Sequence, residues 1–310
     1  MSEVITLILA AGRSGIELAL FVLLPVMIVM LTLMRLLEAW GVLGWIVRGI
    51  APLLRPFGIP GLGIFAMLQV LLVSFAAPVA TLAIMDRSGV SSRHIAATLA
   101  MVLVLAQANV VFPMSAVGLD VLTTSLVSLS CGVLAAALCY HGFGRSLSNE
   151  EPKASADFND EGTPQGVLGI ISRAGKDAFE ISIGALPMLV LALVVVYSLR
   201  ALGAIASLEE VLAPLFAQVD LPSEVLLPII TKFIAGGTAM MGVTVDAVQQ
   251  GLITSTELNR LAGLLIHTFD LAGIAVLISA GRRVAAVLRP ALLAALVALV
   301  VRTLVHLLLY

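Results

Sequence analysis

The sequence predicts an all-α integral membrane protein made of two inverted repeats. Each repeat reads as a span, an interfacial helix, a re-entrant helical hairpin and two further spans. Three observations carry this prediction: an apolar composition, apolar runs of bilayer length, and helix-breaking residues that recur at a fixed offset. Of 310 residues, 60% are hydrophobic and 12% charged, with a mean hydropathy of +1.13; soluble domains sit near half apolar and a quarter charged. A chain this apolar satisfies its backbone only as helices or a closed barrel, and its continuous apolar runs lack the alternation of barrel strands. The formal charge of −2 gives no electrostatic reason for a nucleic-acid partner, and none is expected. Cys131 and Cys139 lie inside an apolar run and read as small hydrophobes. The first residues lack the basic region and cleavage pattern of a signal peptide.

Residues 1–15 are mixed and predict a brief surface helix. Residues 16–37 are long enough to span a core of about 30 Å at roughly 1.5 Å per residue, with a kink expected at Pro25. Residues 39–55 carry two Trp, two Arg and several Gly, which predicts a helix lying in the interface. The stretch 60–86 is apolar but broken near Ser74-Phe75-Ala76-Ala77-Pro78, which suits a hairpin. Two more spans, 92–118 and 120–142, complete a first unit over residues 1–142. Residues 143–165 are acidic and hydrophilic, a linker. Residues 166–310 form the second unit.

Sliding the chain by 162 positions aligns Pro25 with Pro187, Gly41 with Gly203, Pro52 with Pro214, Pro60 with Pro222 and Gly89 with Gly251. Three Pro-on-Pro matches occur where chance gives roughly 0.3, which marks an internal repeat. Loop charges choose the orientation through the positive-inside rule. If the broken stretches 60–86 and 222–250 enter and leave on one face, one side receives Arg35, Arg48, Arg55, Arg87, Arg93, Arg145, Lys153, Arg173, Lys176, Arg282, Arg283 and Arg289. The other receives only Arg13, Arg200 and Arg260. Inverted units in the cell's inner membrane, with both termini outside and the linker in the cytoplasm, follow from that asymmetry.

Inverted repeats with broken helices are the architecture of secondary transporters, whose sites lie near the midplane. Gly236-Gly237-Thr238 interrupts the second hairpin about 22 Å from its entry, and Asp270 lies roughly 24 Å along the next span. In the first unit, Ser74 and Ala76 mark the other tip, and the span after it carries Gln107 and Asn109 midway. Two tips and two polar midpoints are expected to converge on one solute site.

Each candidate has a structural reading beside the functional one. Gly236, Gly237 and Thr238 either permit a tight turn or offer amides to a ligand. Asp270 either pairs with Lys232 as a buried ion pair or binds a ligand or coupling cation. His267 and Thr268 stand one turn or less before Asp270; His267 is a hydrogen-bonded core residue or a proton carrier. Gln107 and Asn109 contact ligand or tie helices together. Asp246 caps the second hairpin arm or pairs with Lys232. Arg302 and His306 are expected to snorkel to the outer surface. No catalytic residues, metal ligands or resident cofactors are predicted, since no HExxH or paired intramembrane Asp motif occurs; a proton or sodium as coupling cation is compatible with the pattern.

This order of elements, with the Gly236-Gly237-Thr238-Ala239 tip and the His267-Thr268-Phe269-Asp270 midpoint, resembles the Gate (nucleoside-recognition) superfamily. That group holds the core of concentrative nucleoside transporters, the membrane part of ferrous-iron transporters and the spore maturation proteins. The resemblance implies a multi-pass protein, here a homo-oligomer, that moves a small polar solute, nucleoside-like or related, by alternating access between two hairpins. Its alternative is a non-transporting membrane partner of the spore-maturation type. The resemblance also implies a polar cluster at the first tip, whereas this chain has Ser74-Phe75-Ala76-Ala77-Pro78 there, and Thr268-Phe269-Asp270 is similar to the region that holds ribose.

Overall fold

A computed structural model describes residues 2–149, 166–203, 207, 210, 211, 214 and 221–310. The described residues are helical with no strand, as lipid demands of a chain whose backbone must be satisfied internally. Among the described residues, four helical stretches are long and apolar enough to cross a membrane: 4–21, 92–117, 121–143 and 288–309. A fifth counts if the bent pair Met27–Ala39 and Val42–Phe57 is one span. The chain is a multi-pass membrane protein.

Residues 1–15 are not a separate surface helix. Helix α1 (Ser2–Glu17) runs through a π-helical turn (Leu18–Leu23) into α2 (Leu24–Ala39). Pro25 accounts for the wide turn: it has no N–H for the next helical bond, and the Leu24 N–H reaches back five residues to the Ala19 carbonyl. The kink expected at Pro25 therefore takes the form of a π-turn. Gly41, at φ +71°, then bends the chain by 78° into α3 (Val42–Leu54). Trp40 and Trp45 stay exposed, as an interfacial helix requires.

The first broken stretch is a hairpin. Helices α4 (Gly61–Leu72) and α5 (Pro78–Arg87) are about 18 and 15 Å long, too short to cross a core of about 30 Å. They fold back on each other, with the buried Thr81 hydroxyl donating to Gln69 Oε1 at 2.7 Å. The span expected over 92–118 is two helices, α6 (Ser92–Val104) and α7 (Ala108–Met114), and it is almost wholly enclosed. Helix α8 (Val121–Leu138) starts at Asp120, whose carboxylate accepts from the Thr123 N–H and hydroxyl and from the Tyr310 hydroxyl. Those bonds, Thr123's first, hold this half-buried carboxyl below its usual range.

After the 150–165 segment, which with most of the expected linker lies outside the described residues, α9 (Val167–Ala201) runs about 52 Å. The second interfacial helix expected at 203–219 also lies largely outside them. The second hairpin is α10 (Leu226–Ala235) and α11 (Gly237–Gln249), turning at Gly236. Its two arms pack against each other. The last elements are α12 (Ser255–Leu265), α13 (Leu271–Ile278), α14 (Arg282–Ala286) and α15 (Leu288–Leu309).

Pairings between the halves run antiparallel. Gly15 lies against Val190, Ser14 bonds Tyr197, and Arg35 pairs with Asp177, so α1–α2 descends α9. Asn259 at the start of α12 bonds the Gly118 carbonyl and the Asp120 N–H just past α7, whereas Arg283 bonds the Val90 carbonyl just before α6. Glycines brought together by the 162-residue offset share a conformation: Gly41 and Gly203 at φ +71° and +72°, Gly89 and Gly251 at +75° and +70°.

Helix α12 reaches α15 through Gly263, where a β-carbon would lie 2.7 Å from the Arg302 carbonyl oxygen and 2.9 Å from Thr303 Cα. Backbone cannot swing aside, so Gly263→Ala should cost about 1–3 kcal/mol, the usual range for overpacking. Gly175, with nothing within 4 Å, is the control: its replacement by Ala should be neutral or gain about 0.5–1 kcal/mol. Denaturant titration in detergent reads both, and equal effects would reject the close crossing.

Candidate functional site

Two helices break at the same level. Helix α6 stops at Val104; Leu105 (ψ 142°) and Gln107 (ψ 129°) are extended before α7 resumes. Helix α12 stops at Leu265, and Ile266 (φ −104°, ψ 80°) through Asp270 (φ −147°, ψ 168°) are non-helical before α13. Neither break contains Gly or Pro. A broken helix exposes carbonyls at one end and N–H groups at the other, and in a membrane interior each needs a partner.

The partners come from the opposite half. Thr268 donates its N–H to the Leu103 carbonyl at 3.2 Å and its hydroxyl to the Val102 carbonyl at 2.6 Å. Arg302 Nη1 donates to the Val104 carbonyl at 2.6 Å. Three consecutive carbonyls at the end of α6 are thus taken by groups from beyond residue 265. The Ala106 N–H is taken by the Ser128 hydroxyl of α8. In return, Gln107 Nε2 donates to the His267 carbonyl at 3.3 Å.

The second hairpin sits on this crossing. Lys232, fully buried on α10, donates to the His267 carbonyl at 2.6 Å and forms an ion pair with Asp270. The other Asp270 oxygen caps α13 by accepting the Gly273 N–H at 2.7 Å. Of the two roles open to Asp270, the ion pair with Lys232 is formed. Gly236 turns at φ +86°, and a β-carbon there would approach Asp270 Oδ1 at 3.4 Å. At Gly237 a β-carbon would collide with Gln107 Nε2 and lie 3.4 Å from Val110. The tip therefore touches both breaks, and Thr238 stands half-buried on the first turn of α11.

His267 is buried with its Nδ1 accepting the Phe269 N–H at 3.1 Å, so in the neutral ring Nε2 carries the proton. Phe233 and Phe269 flank the ring, at centroid distances of 5.9 and 6.4 Å. Gln107 Oε1, Asn109 Oδ1 and His267 Nε2 are buried with no hydrogen-bond partner among the described residues. Two orphaned acceptors and one orphaned N–H donor, all buried, call for a ligand or water.

The first tip is not joined to the cluster. Ser74 is buried with its hydroxyl unpartnered. No hydrogen bond among the described residues ties Ser74 or Ala76 to either break. Their neighbours Val73 and Ala77 pack instead with Met27, Leu31 and Met34 of α2. Three other expectations need correction. Asp246 is exposed on α11 and does not pair with Lys232, whose ammonium Asp270 already holds. Arg302 and His306 do not snorkel; both are fully buried. Arg302 takes the Val104 carbonyl and His306 Nδ1 bonds the Asn259 carbonyl at 2.8 Å, because their face of α15 packs on α6 and α12 rather than lipid. Sequence reasoning missed Arg302 as part of this region; a cation seven residues inside the end of an apolar helix, about 10 Å deep, was the available signal.

Residues 20–138 match the Gate family, described as nucleoside recognition. The whole chain superposes on CNTnw in an inward-facing substrate-bound state with a TM-score of 0.70 at 17% identity, covering 99% of this chain and 82% of that one. Its fold is that of a concentrative nucleoside transporter. A CNTnw variant in an outward-facing state gives a TM-score of 0.66 at 16% identity over 99% of this chain and 83% of that one. A variant in an intermediate state gives 0.68 at 16% identity over 99% and 85%. No curated protein matches the sequence. Within this fold, the second hairpin and the two broken helices share one hydrogen-bond network.

Asp270→Asn keeps the Oδ1 cap on Gly273 but strips Lys232 of its counter-charge. It should destabilise by about 3–5 kcal/mol, whereas Lys232→Met with Asp270→Asn should recover most of the loss. Unfolding titrations of the two variants decide it; a neutral Asp270→Asn would mean the pair is not formed.

Proposed function

We propose that this protein moves a small polar solute, nucleoside-like or related, across the inner membrane by alternating access. The observation that carries the reading is the crossing of two broken helices beneath the second hairpin tip, with Gln107 Oε1 and Asn109 Oδ1 buried and unpartnered. Two lone acceptors suit a solute that presents N–H or O–H donors, and Thr238 with the amides at the start of α11 suits its polar acceptors. The Asp270 carboxylate and His267 imidazole lie in the same cluster, where a coupling cation's movement would be felt by the tip.

The two units, 1–142 and 166–310, are inverted copies in this reading. Antiparallel pairing of α1–α2 with α9, and of α6–α7 with α12–α13, supports that, as do the matched left-handed glycines. The hairpins and broken helices form the moving unit; α1, α2, α3 and α9 form the scaffold and the homo-oligomer contact. Gating of one unit against another around a fixed site is the common transporter pattern. The excess of basic residues on one side supports a cytoplasmic 143–165 linker with both termini outside.

Purified protein should melt at a higher temperature with at least one solute among nucleosides, nucleobases and small organic acids. Gln107→Ala and Asn109→Ala should each weaken that solute on the order of tenfold, as for loss of one buried hydrogen bond. No solute-dependent shift in any class would favour the non-transporting partner. Separately, cysteines placed in 150–165 should react with an impermeant maleimide only after cells are opened; labelling of intact cells would reverse the orientation.

A further inference from the structure

Carbonyls exposed at the ends of broken helices are where membrane transporters hold sodium, since the half-helix C-terminus carries partial negative charge. In this chain the last carbonyl of one helix end, and a carbonyl two residues past the other, already hold a cation that belongs to the protein. The Val104 carbonyl, last of α6, holds Arg302 Nη1 at 2.6 Å. The His267 carbonyl, in the break after α12, holds Lys232 Nζ at 2.6 Å, and the nearest carboxylate, Asp270, is taken by the same ammonium. The neighbouring carbonyls of Val102 and Leu103 are occupied by Thr268. Lys232 and Arg302 are both fully buried, and no group of three or more metal-ligating side chains occurs among the described residues.

We infer that Lys232 and Arg302 are resident cations filling the two sites where a metal ion would couple, so that the protein closes around its solute without binding sodium. An ammonium or guanidinium on a carbonyl supplies the positive charge that sodium would supply, but it cannot leave. A free cation would have to displace a side chain fixed by two contacts, in the case of Lys232, and to leave that charge buried without a partner. Among the described residues, one buried ammonium and one buried guanidinium, Lys232 and Arg302, stand against one buried carboxylate, Asp270. That surplus of positive charge repels a further metal ion. The inference deepens the transport reading and gives it a coupling mode, but its test reads cation binding directly.

The wild-type protein in detergent should show the same melting temperature in sodium, lithium, potassium and choline chloride at equal ionic strength, and should retain no radioactive sodium above background. Lys232→Ala removes the cation from the His267 carbonyl, leaving it Gln107 alone, and frees Asp270 Oδ2; it should gain a saturable sodium-dependent rise in melting temperature, on the order of 2–4 °C. Lys232→Arg keeps the charge and should stay insensitive. If Lys232→Ala does not fold, Arg302→Gln is read in the same way at the Val104 carbonyl, and the wild type decides alone if neither folds. Stoichiometric sodium binding or a sodium-specific shift in the wild type overturns the inference. Absence of any solute-dependent shift in every salt would instead count against transport and leave the cation result standing.

Discussion

The structure depends on one constraint: two helices that stop in the membrane interior must find partners for the groups their ends expose. Each supplies what the other lacks. The α6 carbonyls of Val102, Leu103 and Val104 accept from Thr268 and Arg302, while Gln107 returns a donor to the His267 carbonyl. Lipid offers no alternative acceptor or donor, so the crossing is held by the cost of leaving it. An unbroken pair of helices would need none of these residues and could hold no polar ligand at that depth.

The second hairpin follows from the same constraint. Lys232 lies on its entering arm and ties it to the His267 carbonyl and Asp270. Gly236 then lets the chain turn at φ +86° beside Asp270, and Gly237 lets it approach Gln107 more closely than any side chain would allow. The far end of the first hairpin is tied across the halves as well. Asp86 accepts the Arg283 N–H at 3.0 Å, while Arg283 also donates to the carbonyls of Asp86 and Val90. Each hairpin is thereby fastened to elements of the second half.

Much of this was legible in the sequence, for identifiable reasons. Gly41, Gly89, Gly203 and Gly251 sit where the chain must turn left-handed, so their spacing reported the element order directly. The hairpin at 222–250 was announced by Gly236-Gly237. The breaks at Leu105–Gln107 and Ile266–Asp270 were not, because no Gly or Pro marks them. Only the polar residues they accommodate gave a hint, and Gln107, Asn109, Thr268 and Asp270 were found that way. Arg302 and His306 were misplaced because distance from a helix end favours snorkelling, while the face each occupies is settled by packing across 198 and 47 residues of chain. The long helix through Pro25 was missed because a π-turn leaves no mark beyond the proline itself.

The two tips are held by different physics, and the difference decides which can separate from its surroundings. The second tip is bound through an ion pair and a charge-assisted carbonyl bond, both buried; in a low-dielectric interior these are lost only if the charges stay partnered. It is therefore tied to the broken helices. The first tip meets the α2 scaffold through Val73 and Ala77 against Met27, Leu31 and Met34. Methionine and small apolar side chains exchange such contacts for lipid or for one another at little cost, because lipid tails are as apolar as the surface they replace. A boundary that slides at low cost thus lies between the first tip and the scaffold, and a boundary that resists opening lies beneath the second tip.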